Sequence, residues 1–194
     1  MQNTLPRIYY FTDKYNLPEL LRLNKNIDII YRNYKKNNNK NTLISLKKFC
    51  SKTKRKFYLS NDIKTALKIK ADGIYIPSFN RKLNYATKST KPPKFKIIGS
   101  AHNKSELAVK KKQKCSEIFV SSIFKNKKNK KFLEIIKFNL LILDQSISVI
   151  ALGGIGEENF RKLKLTNSIG FASINWIKKN GLSKIRPFLN LKIY

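Results

Sequence analysis

The chain has 194 residues, 41% of them hydrophobic and 11% aromatic, which is enough apolar material for one globular domain with a proper core and too much for general disorder. Its 42 Lys+Arg against 11 Asp+Glu give a formal net charge of +31; lysine with abundant Asn and Ile runs along the whole chain, without an RNA-binding aromatic signature or helix-turn-helix pattern, so specific nucleic-acid binding is not expected. The opening MQNTLPRIYYFTD soon turns polar, no run approaches a membrane span, and Cys50 and Cys115 lack metal-ligand spacing; the expectation is a cytoplasmic chain without membrane contact and with two buried free thiols.

In chain order, short apolar, β-branched or aromatic runs recur as IYYF, IDIIY, KFYL, GIYI, KIIG, EIFV, ISVIAL and SIGFA. Helical spacing fills the gaps. LPELLRL carries a proline near a helix start, TLISLKKFCSK puts Leu43, Leu46 and Phe49 on one side, and DIKTALKIK follows Asn61. NKSELAVKKK places Glu106 three residues after Asn103, a capping-box arrangement. NRKLNYATKSTKPP reads as a weak helix plus loop, and KFLEIIKFNLL and EENFRKLKL as two further helices. Eight strand–helix alternations predict parallel β/α units. Units of roughly 20–25 residues predict an α/β chain closed as a single (β/α)8 TIM barrel, with a doubly wound open sheet as the alternative. One domain over residues 1–194 is expected.

In such a barrel the loops after the strand C-termini share one rim, so the residues that follow each apolar run form the candidate site. They are Thr12 and Asp13; Arg32 and Asn33; Ser60, Asn61 and Asp62; Ser78 and Asn80; Ser100 and His102; and Ser121, Ser122 and a lysine-rich stretch with Lys125, Lys127 and Lys128. The last two runs end in ALGGIG and FASIN. Few acids and many donors suit phosphate or pyrophosphate oxygens. Gly153 and Gly154 permit close backbone approach or a tight structural turn, and the helix expected from Glu157 turns its positive end to the same region. Ala172 and Ser173 stand at the next helix start, where loops seven and eight of a barrel form its usual phosphate site. Asp62 reads as a helix cap or as a ligand to Mg2+ beside a pyrophosphate. Arg32 reads as a substrate-anion contact or as half of a rim salt bridge to Asp13 or Asp62. His102, the only histidine, reads as an acid/base group or as an orienting polar residue at a strand end.

The order IYYFTD, YRN, FYLSND…A, ADGIYI, IIGSAHN..E...A, EIFVSSIF, IALGGI…N and GFASI resembles the thiamine phosphate synthase and TenI superfamily over nearly the whole chain. The resemblance implies the barrel. On the synthase side it implies a transferase of thiamine biosynthesis, coupling hydroxymethylpyrimidine pyrophosphate to thiazole phosphate with Mg2+-assisted release of pyrophosphate. It assigns pyrophosphate to Arg32, pyrophosphate and Mg2+ to Asn61 and Asp62 with Asp62 as metal ligand, and the leaving group to Ser100. It draws positive charge from Lys125, Lys127 and Lys128, and rests thiazole phosphate on backbone around Gly153, Gly154, Ala172 and Ser173. The chain also departs from the pattern. Gln-x-Arg-x-Lys reads here as Ile30, Tyr31, Arg32, Asn33, Tyr34, with Lys35 and Lys36 adjacent; Asn80 stands where the family carries a second metal-binding Asp; Thr-x-Thr-Lys reads as Asn126, Lys127, Lys128, Asn129. TenI-type members imply a second activity, metal-independent thiazole tautomerisation with His102 as acid/base. A third possibility is a barrel that binds a phosphorylated metabolite without turnover.

Overall fold

Every apolar run becomes a strand: β1 Arg7–Thr12, β2 Ile27–Tyr31, β3 Phe57–Ser60, β4 Gly73–Ile76, β5 Lys96–Ala101, β6 Glu117–Val120, β7 Ser148–Leu152 and β8 Gly170–Ala172. The computed structural model describes residues 6–34, 39–86, 92–126, 131–143 and 146–180; Lys127 and Lys128 lie outside them. Each strand pairs in parallel with the next, and β8 returns to β1 with Phe171 opposite Ile8, so the sheet is a closed eight-stranded barrel. The open-sheet alternative is thereby excluded. Around the barrel run α1 Leu17–Leu21, α2 Lys40–Lys52, α3 Ile63–Lys68, α4 Lys104–Lys112, α5 Glu134–Ile142 and α6 Asn175–Asn180. The first four open on Asn16, Asn39, Asp62 and Asn103, whose side chains accept from backbone N–H groups of the first turn; the asparagine wealth of the chain thus supplies helix starts. No helix among the described residues is long and apolar enough to cross a membrane.

The strands are apolar on both faces because both are buried, one inside the barrel and one beneath the helices. Tyr9, Phe11, Ile30, Tyr58, Tyr75, Phe119, Ile150 and Ala172 fill the lumen, while their neighbours Ile8, Tyr10, Ile29, Phe57 and Ile74 join the outer core. The lumen rings meet edge to face, Tyr9–Phe119 at 4.9 Å, Phe11–Tyr75 at 5.2 Å and Tyr75–Phe119 at 5.6 Å between centroids. Beneath them, at the strand N-termini, the Tyr9 hydroxyl donates to Glu117 Oε2 at 2.5 Å. Glu117 is also paired with Arg7 and, at 3.4 Å, with Lys96. Cys50 and Cys115 are buried free thiols, and burial pushes both up to about 12.

Asp28 also belongs to this floor. Burial raises its carboxyl above the ordinary value of 3.8, against a backbone hydrogen bond from Lys56 that favours the charged form. The folded carboxyl therefore keeps its proton to a higher pH than the unfolded one, and ionisation above that range lowers stability. Asp28→Asn keeps an acceptor for the Lys56 N–H, 2.9 Å from Oδ1, and removes the charge. A higher melting temperature is expected at pH 7, with the gain over the parent disappearing as pH falls below the unfolded value; thermal melts across that range check it.

Two connections differ from expectation. The helix expected in EENFRKLKL is a 3₁₀ helix, Phe160–Leu165. Phe160, Leu163 and Thr166 are all buried, a spacing of three that eclipses on a 3₁₀ helix and drifts off an α-helical face. The positive helix end expected at Glu157 is accordingly replaced by a loop braced by side chains. Between β4 and β5 the described part of the weak helix is a 3₁₀ turn, Asn84–Ala86.

Candidate active site

Arg32 lies one residue past β2, its N–H donating to Thr12 O at 2.8 Å and so extending the β1–β2 ladder. Strand alternation turns its side chain inward above Ile30. The guanidinium lies over the Phe11 ring at 4.6 Å and the Tyr34 ring at 5.8 Å, a cation–π stack at the top of the lumen. Of the two readings open from sequence, the rim salt bridge is not formed: among the described residues no carboxylate pairs with Arg32.

Tyr75 ties this cation to β5. Burial pushes the Tyr75 hydroxyl up to about 12, while the Ser100 hydroxyl and the Arg32 guanidinium act on it in the opposite sense. Arg32, Tyr75 and Ser100 thus share one mouth, and Tyr75 is a neutral donor at pH 7. Ser60, inward-facing at the end of β3, buries its Oγ beside the Tyr34 hydroxyl. Tyr34 and Phe79, both exposed, meet edge to face at 5.6 Å and form an aromatic wall beside Arg32. Sequence reasoning missed Tyr34, Tyr75 and Phe79. For Tyr34 and Phe79 the available signal was an aromatic within three residues of a strand end, in YRNY and IPSF.

Asn61 adopts φ 61°, a left-handed conformation that asparagine tolerates better than most residues. Its Oδ1 accepts from Asn80 Nδ2 at 2.5 Å, and that nitrogen also donates to the Tyr85 hydroxyl at 2.6 Å. Asp62 caps α3, with Oδ1 accepting from Thr65 N at 3.0 Å. Asn61, Asp62 and Asn80 are therefore neighbours, and the capping role of Asp62 is realised. One carboxylate and two carboxamides do not close a cage around Mg2+, but they suit an ion that arrives with a pyrophosphate and keeps several waters. Among the described residues no three His, Cys, Asp or Glu side chains gather into a metal site.

His102 is exposed and directed along the first turn of α4. Its N–H donates to Glu106 Oε2 at 2.7 Å, and its Nδ1 lies 2.9 Å from the same oxygen. Glu106 in turn donates its own N–H to Asn103 Oδ1 at 2.9 Å, so the expected capping box forms with its return bond on the residue before the cap. A carboxylate on Nδ1 favours the tautomer whose Nε2 accepts.

On the far side of the mouth, loops six and seven interlock. Gly153 and Gly154 have φ of 94° and 71°. A Cβ on Gly153 would fall 2.4 Å from Ser122 Oγ, and one on Gly154 2.3 Å from Phe124 O, so each glycine is required by both conformation and space. Phe124 N donates to Gly153 O at 3.1 Å. Asn159 braces the turn, donating to Gly154 O at 2.8 Å and accepting from Gly156 N at 3.0 Å. Ser173, past Ala172, donates to Ile155 O at 3.1 Å and joins loop eight to loop seven. Lys125 is exposed at the same edge. A cavity of ≈ 530 Å³ lined by Lys56, Asp72, Lys94 and Lys96, among others, opens at the strand N-termini, away from all of these groups.

A family model described as thiamine monophosphate synthase matches residues 21–177. The chain is 32% identical over 166 residues to a thiamine-phosphate synthase of Prochlorococcus marinus, covering 81% of this chain and 47% of that protein; it spans about half the length of that relative. It is 31% identical over 182 residues to a thiamine-phosphate synthase of Pelagibacter ubique, covering 89% of this chain and 83% of that protein. The barrel superposes with a TM-score of 0.73 on thiamine phosphate pyrophosphorylase from Pyrococcus furiosus, at 20% identity over 95% of this chain and 97% of that one. At such identity the likeness establishes the fold.

Proposed function

The chain belongs to the thiamine monophosphate synthase family, and from that premise we propose that it couples hydroxymethylpyrimidine pyrophosphate to thiazole phosphate, releasing pyrophosphate. The observation that carries the reading is Arg32: a cation with no carboxylate partner among the described residues, stacked on Phe11 at 4.6 Å and sharing the mouth with Ser100 and Tyr75. In the reaction the bond between the pyrimidine methylene carbon and the pyrophosphate oxygen breaks with its electron pair on oxygen. The thiazole nitrogen lone pair forms the new C–N bond. No proton has to move at the reacting atoms, so the protein's task is to stabilise the departing charge and align the partners.

Arg32 offers a planar fork to the pyrophosphate, and the Ser100 and Tyr75 hydroxyls offer neutral donors beside it. Held by Asp62, with Asn61 and Asn80 adjacent, Mg2+ would neutralise charge on the leaving group. Tyr34 and Phe79 suit the faces of an aromatic ring and exclude water from it. Backbone around Gly153, Gly154, Ala172 and Ser173 suits the thiazole phosphate, with Lys125 supplying charge at its edge.

The His102–Glu106 contact favours a second reading, proton transfer on a thiazole carboxylate phosphate by a carboxylate-oriented imidazole. One experiment separates the readings: incubate the protein with both synthase substrates and Mg2+ and look for thiamine phosphate by mass. Its formation, with His102→Ala keeping activity within about tenfold of the parent, is the expected result, since general acid–base catalysis contributes about 10²–10⁴-fold where a proton is transferred. Metal-independent thiazole isomerisation abolished by His102→Ala would replace the proposal, and ligand binding without turnover would leave a binding protein.

A further inference from the structure

Lys110 sits in a run of lysines on α4, yet it is completely buried, with 0% relative exposure. Its Nζ donates to Pro77 O at 2.8 Å, Asn80 O at 2.9 Å and Gln113 Oε1 at 2.9 Å, so each ammonium proton has an acceptor. Gln113, also buried, donates from Nε2 to Asn80 O at 2.9 Å and Lys82 O at 2.8 Å. Apart from the bond joining the two side chains, every one of these reaches the segment from Pro77 to Lys82. A buried ammonium is unfavourable unless fully bonded, and an apolar side chain would fill the same space more easily. Strand β5 accommodates it: a Cβ on Gly99 would fall 2.9 Å from Lys110 Cδ.

The segment it grips carries Asn80. The Asn80 carbonyl is held from outside the barrel by Lys110 and Gln113, while its side chain donates to Asn61 Oδ1 at 2.5 Å next to Asp62. We propose that Lys110 and Gln113 are a positioning pair that sets the pyrophosphate end of the site by fixing the Pro77–Lys82 segment; this rests on the pyrophosphate reading above.

The test uses Lys110→Met, which keeps an unbranched stem and removes all three donors, and Gln113→Leu, which keeps the lysine should the first variant fail to fold. Calorimetric titration with inorganic pyrophosphate and Mg2+ is expected to give affinity weaker by about tenfold or more in either variant, the usual cost of removing an outer support. In steady state, KM for the pyrimidine pyrophosphate should rise by a similar factor of about ten and KM for thiazole phosphate should stay. The amide of Asn80, bonded to Pro77 O at 3.1 Å, should exchange faster while amides of β6 do not. A merely structural role would lower the melting temperature and leave pyrophosphate affinity and the KM ratio unchanged; that result overturns the pair as positioning residues even if thiamine phosphate is made. Pyrophosphate binding that depends on Lys110 in a protein making no thiamine phosphate would retire the synthase reading and keep the pair.

Discussion

Replacing Arg32 by alanine is expected to lower kcat/KM for the pyrimidine pyrophosphate by about 10²–10³-fold, the range for deleting one preorganised charge stabiliser. The melting temperature should move little. Arg32 contributes to folding through its stack on Phe11 and Tyr34, worth about 0.5–1 kcal/mol, which corresponds to about 1–4 °C in a chain of this size. Among the described residues no partner carboxylate is stranded by its loss. Arg32→Lys should fall between the two, because an ammonium restores charge without the planar, two-pronged geometry. Steady-state kinetics together with thermal melts check both variants, and unaltered kinetics in the alanine variant would remove Arg32 from the site.

Gly154→Ala should injure the other half of the mouth. Its φ of 71° costs an alanine about 1–2 kcal/mol, and the added carbon would fall 2.3 Å from Phe124 O and 2.6 Å from Lys125 O. Both obstacles are backbone atoms, so no rotamer change relieves them and loop six must separate from loop seven. The expected result is a loss of about 10²-fold in kcat/KM for thiazole phosphate, the scale of a displacement of about 1 Å at a reacting group, with a much smaller change in KM for the pyrimidine substrate. The two variants thus divide the substrates between opposite sides of the barrel. Should both raise the same KM, the two-sided arrangement is wrong.

The strands were legible because a parallel barrel buries both faces of each, leaving uninterrupted runs such as IDIIY and EIFV that few other contexts require. The rim followed from the fold: once the runs are strands, the residues after them must share one end. What escaped notice has physical reasons. In AVKKKQK, Lys110 is identical in kind to Lys111 and Lys112, and only the placement of α4 on the Pro77–Lys82 segment separates a buried ammonium from two outward-facing neighbours. Phe160, Leu163 and Thr166 differ from an α-helical stripe by a fraction of a residue per turn, too little to read from one short segment. Tyr75 looked like core, and it is core along most of its ring; its hydroxyl meets Ser100 and Arg32 only because β4 and β5 pair in the register that sets Tyr75 opposite Ile98. Asp62 kept its capping role, as an aspartate before a helix does in most proteins.

The aromatic filling of the lumen separates the pH-sensitive base of the barrel from its opening. Tyr9, Phe11, Tyr58, Tyr75 and Phe119 form a continuous plug, with Asp28 at one end of the barrel and Arg32 and Ser100 at the other. Protonation of Asp28 on acidification therefore acts on the cohesion of the molecule at its base, with the whole aromatic plug between it and the groups of the opening.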